Sequence, residues 1–245
     1  MERKCLTKFV SAVVLVLLAF VTFSCTRRSG DYTQADRRVQ NVRNEQIQPR
    51  TRPPRAALQQ EKMSASDIFT QFNSAVFMIL TSDGWNDFQG SGFFINSSGL
   101  AVSNYHVFKG NGMGLESIKL SDGREYKVED VVAVSEEYDF ILFNVDIASS
   151  CNYIPITNRR YKVGEKVYAI GSPLGLENTF SSGEISQSRD DYLIQISTPI
   201  DHGSSGGALI NEYGEVIGIT SSGLEDSGAN LNFAIDICVI KPYLP

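Results

Sequence analysis

The chain is 245 residues long and carries 22 Lys and Arg against 28 Asp and Glu, a net charge of −6. That length allows one or two domains, and the acidic balance goes with an expectation of no nucleic-acid partner. Neither the charge nor the apolar residues are spread evenly, so the chain is read in segments.

At the N-terminus Arg3, Lys4 and Lys8 precede the uncharged run FVSAVVLVLLAFVTFS, Phe9 to Ser24, which meets Cys25. Basic residues, an apolar stretch and a small residue before a cysteine make 1–25 an export signal of lipoprotein type, with Cys25 as the lipidated residue. Thr22 and Phe23 depart from the Leu and small residue usual there. An ordinary cleaved signal and an uncleaved anchor are the alternatives; at sixteen residues the run falls short of the roughly twenty that span a bilayer. The expected address is the cell envelope or periplasm, with attachment to a membrane by the N-terminal lipid.

Residues 26–63 are rich in Arg, Gln and Asn, include Pro53 and Pro54, and hold almost no large apolar side chain. Such a segment cannot offset the entropy of ordering and reads as a disordered tether. Eight Arg and Lys62 against four acids give it a net +5, whereas the chain from Ser64 onward has ten Lys and Arg against 23 Asp and Glu, a net −13. The tether is either drawn to anionic headgroups or is a solvated spacer. Once Cys5 and Cys25 are set aside, Cys151 and Cys238 are either a pair in an oxidising compartment or two separate small hydrophobes.

The folded part is expected over 64–245. It opens on SASDIFTQF, with Ser and Asp as cap candidates for a short helix, and passes into the apolar run Val76 to Leu80. Strand-like runs follow at Gly92–Ile95, Leu100–Ser103, Ser117–Leu120, Phe140–Val145, Lys166–Ile170, Tyr192–Ile196, Ala208–Ile210, Val216–Thr220 and Leu231–Ile235. Turn signals SDGWND, NSSG, SDGR, SPLG and NEYG divide them. Many short strands without a long amphipathic helix predict an all-β barrel or sandwich.

Chemistry centres on DHGSSGG, Asp201 to Gly207. Serine becomes a nucleophile when a base takes its proton, and the resulting oxyanion needs backbone donors. Gly203 lets its own amide and that of Ser205 point into one hole, which selects Ser205 over Ser204. Only two histidines exist, His106 and His202. His202 and Asp201 share one loop with Ser205, whereas triad members come from segments that a scaffold brings together. His106, delivered at a strand end by GSGFFINSSGLAVSNYHV, is the better base, and Asp139 in EEYDFILFNV can fix its tautomer. Read alone, each residue is an ordinary loop or strand-edge residue. In the order His106, Asp139, Ser205 they follow the chymotrypsin arrangement.

The stretches GSGFFINSSGLAVSNYHV, YDFILFNV, VYAIGSPLGL, SSGEIS, IQISTPIDHGSSGGALIN and LNFAI resemble the trypsin-like serine proteases, and among them the bacterial HtrA/Deg branch. The resemblance implies two packed six-stranded antiparallel barrels, His106 and Asp139 on the first, Ser205 on the second, and an oxyanion hole of the Gly203 and Ser205 amides. Its pocket positions fall on Thr198, Pro199, Ile200, Gly218, Ile219, Thr220, Asn232, Phe233 and Ala234. Pro199, six before Ser205, is not an acid, so Arg and Lys are disfavoured and a shallow site for small or aliphatic residues is expected. Ser204 replaces the aspartate of the digestive enzymes, so no zymogen cleavage of that kind is expected, and with the sequence ending at Pro245 no PDZ domain is expected either. An exported endopeptidase acting on proteins or peptides, without cofactor or metal, is the leading expectation, in envelope quality control or processing. A non-catalytic peptide-binding module on the same fold is the alternative. Because only the neutral imidazole accepts a proton, activity should fall in acid.

Overall fold

The computed structural model describes residues 61–110, 116–172, 178–201, 203–221 and 231–245. The expected export signal and nearly all of the tether lie outside these residues, as does His202.

Helix α1 (Ala65–Phe72) begins where a reciprocal cap fixes it: the Ser64 hydroxyl accepts the Asp67 N–H at 3.2 Å, and the Asp67 carboxylate accepts the Ser64 N–H at 3.4 Å. Ile68 and Phe72, one turn apart, bury the same stripe. Just before the cap, the Met63 amide donates to the Glu212 carbonyl at 2.7 Å and its side chain packs on the core, so the chain is fastened to the body before the helix starts.

Among the described residues twelve strands then form two closed barrels, with every ladder between them antiparallel. The first comprises β1 (Val76–Ser82), β2 (Asp87–Phe94), β3 (Leu100–Ser103), β4 (Ser117–Leu120), β5 (Glu125–Ser135) and β6 (Phe140–Val145), in the order β1-β2-β3-β6-β5-β4. The second comprises β7 (Lys166–Gly171), β8 (Thr179–Arg189), β9 (Leu193–Ile196), β10 (Ala208–Asn211), β11 (Val216–Ser221) and β12 (Asn232–Asp236), in the order β10-β11-β12-β9-β8-β7. Read from β7 round the ring, that is the first barrel's order again. The expected all-β class and paired six-stranded barrels are found.

Side-chain alternation explains how the barrels join. In β6, Ile141, Phe143 and Val145 point into the first barrel, while Phe140 and Leu142 enter a core shared with the second. In β7, Val167 and Ala169 fill the second barrel and Tyr168 and Ile170 enter the shared core. A strand stretch buried on both faces needs apolar residues at successive positions, which is why FILF and VYAI read as continuous runs. Loop ends Asn104 and Asp236 and the turns are polar instead; in NEYG the Asn211 side-chain oxygen accepts the N–H groups of Tyr213 and Glu215 at 2.9 and 3.0 Å.

Two strands had no counterpart among the runs picked out above. β5 and β8 are eleven residues each and mostly exposed, so no apolar pattern marks them. Cys151 and Cys238 are both unpaired, the first partly buried against the Asn96 carbonyl and the second exposed.

Candidate active site

The loop between β9 and β10 carries the candidate nucleophile. Gly206 has φ of +88°, and a Cβ there would stand 2.1 Å from the Ser91 carbonyl oxygen and 2.3 Å from the Ser103 hydroxyl. Only glycine fits, and the turn is thereby pressed against β2 and the end of β3. Ser103 lies three residues before His106, so the second barrel's turn meets the first barrel's strand end at the two candidate groups.

Within the turn the N–H groups are divided. Ser204 donates to the Asp201 carbonyl at 3.0 Å, Gly206 to the Thr220 carbonyl at 2.8 Å, and Gly207 to the Ser204 carbonyl at 3.0 Å. Among the described residues, the Gly203 and Ser205 amides have no such acceptor. Two unspent donors bracketing a serine are what a developing oxyanion requires. Ser205 is 7% exposed. The Ser204 Cβ would lie 3.2 Å from a Cβ placed on Gly171, so that side chain sits against the end of β7.

His106 sits in a short 3₁₀ turn, Tyr105–Val107, directly after β3. Asp139 opens β6 from the left-handed region, with φ of +49°, a conformation aspartate tolerates better than most residues. Its carboxylate bridges the histidine: one oxygen accepts the His106 backbone N–H at 2.9 Å and the other faces ring Nδ1 at 2.8 Å. The Asp139 carbonyl is held in turn by the Asn104 amide at 2.9 Å. A carboxylate only accepts, so the neutral ring carries its proton on Nδ1 and presents a lone pair on Nε2. The side chains remain 43% and 28% exposed. The Ser205 hydroxyl and the ring are not hydrogen-bonded to each other here; such contacts are often long without substrate and tighten on binding.

The expected pocket residues divide into two groups. Ile219 is buried in the shared core and Ala234 in the second barrel's core, so both act through packing. Thr198 is fully buried with a hydroxyl that has no partner among the described residues, Pro199 is exposed, and Ile200 and Asn232 are partly exposed. Gly218 is buried, and a Cβ on it would meet the Ala234 Cβ at 3.1 Å; Phe233 is 9% exposed. Thr220 has a second task, since its hydroxyl donates to the Ser204 carbonyl at 2.7 Å. Asp201 is exposed and contributes its carbonyl to the turn. Residues 222–230, which follow β11, lie outside the described residues, and among those described no group of three His, Cys, Asp or Glu side chains is placed to hold a metal ion.

Sequence reasoning passed over three buried polar side chains: Ser91, which bonds to the nucleophile turn, Ser103, which donates to the Ser91 carbonyl, and Asn104, which donates to the Asp139 carbonyl. The available signal was Ser91 between two glycines: Cβ atoms on Gly90 and Gly92 would meet Val107 and Phe77, each at 2.5 Å.

Comparison with known proteins gives three kinds of likeness. Residues 90–219 match the family model described as a trypsin-like peptidase domain. Over 159 residues the chain is 40% identical to the protein named "Probable periplasmic serine endoprotease DegP-like" of Halomonas elongata, covering 61% of this chain and 33% of that one. It is 33% identical over 168 residues to mitochondrial serine protease HTRA2 of Drosophila ananassae, covering 63% and 38%. The chain thus spans little more than a third of these curated relatives. The crystal structure of the serine endoprotease from Yersinia pestis superposes with a TM-score of 0.66 at 26% identity, covering 74% of this chain and 65% of that one.

Proposed function

Because this chain belongs to the trypsin-like peptidase family, we propose that it is a serine endopeptidase in which Ser205 attacks, His106 transfers protons and Asp139 orients the ring. The observation that carries the reading is the Asp139 carboxylate, which takes the His106 N–H on one oxygen and the ring on the other. As Ser205 Oγ bonds to the scissile carbonyl carbon, its proton passes to His106 Nε2. The carbonyl π electrons move to oxygen, which the Gly203 and Ser205 amides face. Collapse breaks the C–N bond, and the imidazolium gives its proton to the leaving amine. Water then repeats the sequence on the acyl-enzyme, with His106 again as base.

An active-site phosphonate probe tests this. The wild-type protein labels, while Ser205→Ala and His106→Ala do not; a folded wild type labelling no faster than Ser205→Ala sinks the reading. With Pro199 rather than an acid near the pocket, a peptide-library profile should favour small or aliphatic residues over Arg and Lys before the cut.

Relatives named as periplasmic support an exported protein. The sequence of residues 1–25 supports lipid attachment at Cys25, and with it work on envelope proteins in quality control or processing. Metabolic labelling with palmitate should mark the wild type and leave Cys25→Ser unmarked.

A further inference from the structure

Ser91 forms no bond in the reaction above, yet its polar atoms are all committed around the nucleophile turn. It is fully buried, at 0% exposure. Its N–H donates to the Ser205 carbonyl at 2.8 Å, and its hydroxyl donates to the Gly203 carbonyl at 2.7 Å. The same hydroxyl accepts the Ser172 N–H at 2.8 Å, and its carbonyl accepts the Ser103 hydroxyl at 2.7 Å. Nearby, the Gln89 side chain donates to the Ser172 carbonyl at 2.7 Å, so β2 grips the end of β7 twice.

Each peptide unit turns as a rigid plate, so holding its carbonyl also sets the direction of its N–H. The Gly203–Ser204 plate is held by the Ser91 hydroxyl at one end and the Asp201 carbonyl at the other. The Ser205–Gly206 plate is held by the Ser91 N–H and the Thr220 carbonyl. Between them lies the Ser204–Ser205 plate, which carries the Ser205 N–H and is held at its carbonyl by Thr220 and Gly207. Ser91 in the first barrel and Thr220 in the second therefore close on the oxyanion turn from opposite sides.

We propose that Ser91 is a positioning residue for the reaction, a clamp across the two barrels that holds the peptide plates on either side of the Ser204–Ser205 plate and so keeps the Ser205 amide aimed at the oxyanion. The proposal rests on the endopeptidase reading. Ser91→Ala keeps the strand and its N–H bond but frees the Gly203 carbonyl and leaves the buried Ser172 N–H without its acceptor.

The test compares wild type, Ser91→Ala and Ser91→Thr in the full chain. Ser91→Ala should lower kcat and the phosphonate labelling rate about tenfold, the worth of one hydrogen bond, with KM nearly unchanged. Affinity for a peptide boronate, which places a charged oxygen in the hole, should fall in parallel. Binding of an uncleaved peptide in the Ser205→Ala background should stay constant when Ser91→Ala is added. Ser91→Thr, which keeps the donor, should restore the labelling rate. If the alanine variant does not fold, Ser91→Cys, whose thiol donates weakly, replaces it. Equal labelling of a folded Ser91→Ala or Ser91→Cys and a reactive wild type overturns the clamp, as does a loss confined to KM or to Tm. A wild type that never labels overturns the endopeptidase reading itself, and the clamp with it.

Discussion

Asp139 offers the sharpest single-atom test, because its two oxygens do different work: one fixes where the His106 backbone stands, the other which ring nitrogen bears the proton. Asp139→Asn keeps shape and volume but replaces one oxygen with an NH2 group. If that group faces the ring, Nδ1 must accept, Nε2 takes the proton, and the base can no longer receive one from serine. The expected outcome is a loss in kcat of about 10⁴-fold with a nearly unchanged melting temperature, read by steady-state kinetics and calorimetry. The chain's two histidines give a second contrast at this scale. His106→Ala should abolish turnover and His202→Ala should retain a substantial part of it; the opposite pair of results would reassign the base.

At the scale of elements, the nucleophile turn is the least tolerant piece of backbone. Gly206→Ala would force a side chain into a positive φ and drive its Cβ against the Ser91 carbonyl, which is main chain and cannot swing away. Strain and overpacking together should cost roughly 2–5 kcal/mol, measured as a lower denaturation midpoint, with phosphonate labelling lost. A different element supplies the pH test. Tyr161, in the connection before β7, donates to the Asp236 carboxylate at 2.9 Å, and burial, with the nearby Asp236 charge, pushes its phenol up to about 12 from 10.0. An acid whose pKa is higher folded than unfolded lends stability below the unfolded value and loses it as pH climbs through the folded one. Stability of the wild type should therefore fall between about pH 10 and 12, and Tyr161→Phe should flatten that part of the curve. Elements also differed in how plainly the sequence announced them. Strands buried on both faces, such as β6 and β7, declare themselves as unbroken apolar runs, and the Ser64 to Asp67 cap marks its helix. β5 and β8 face solvent along most of their length and pair through backbone bonds that no side chain advertises. The candidate site was legible through residue order and glycine spacing; Ser91 was not, because a buried serine differs from an exposed one only in its partners.

For the whole molecule, the division of the site between barrels makes their relative placement a functional quantity. His106 and Asp139 belong to the first barrel and Ser205 to the second, so in the proposed reaction the shared core that fixes one against the other would set the distance across which the proton passes. Leu142 is fully buried in that core, whereas its neighbour Phe143 is fully buried inside the first barrel alone. Leu142→Ala should cost about 2–5 kcal/mol, and Phe143→Ala about 3–5 kcal/mol. The two losses should nevertheless act differently on the site. A cavity inside one barrel leaves the boundary packed, but a cavity between the barrels lets them shift, so Leu142→Ala should lose more labelling rate for each degree of melting temperature lost. Because the core is common to both barrels, calorimetry on either variant should show one transition for the 61–245 body, moved down and not split. Two separate transitions would mean that each barrel stands alone, and equal labelling losses at equal destabilisation would mean that the shared core holds the fold without tuning the site.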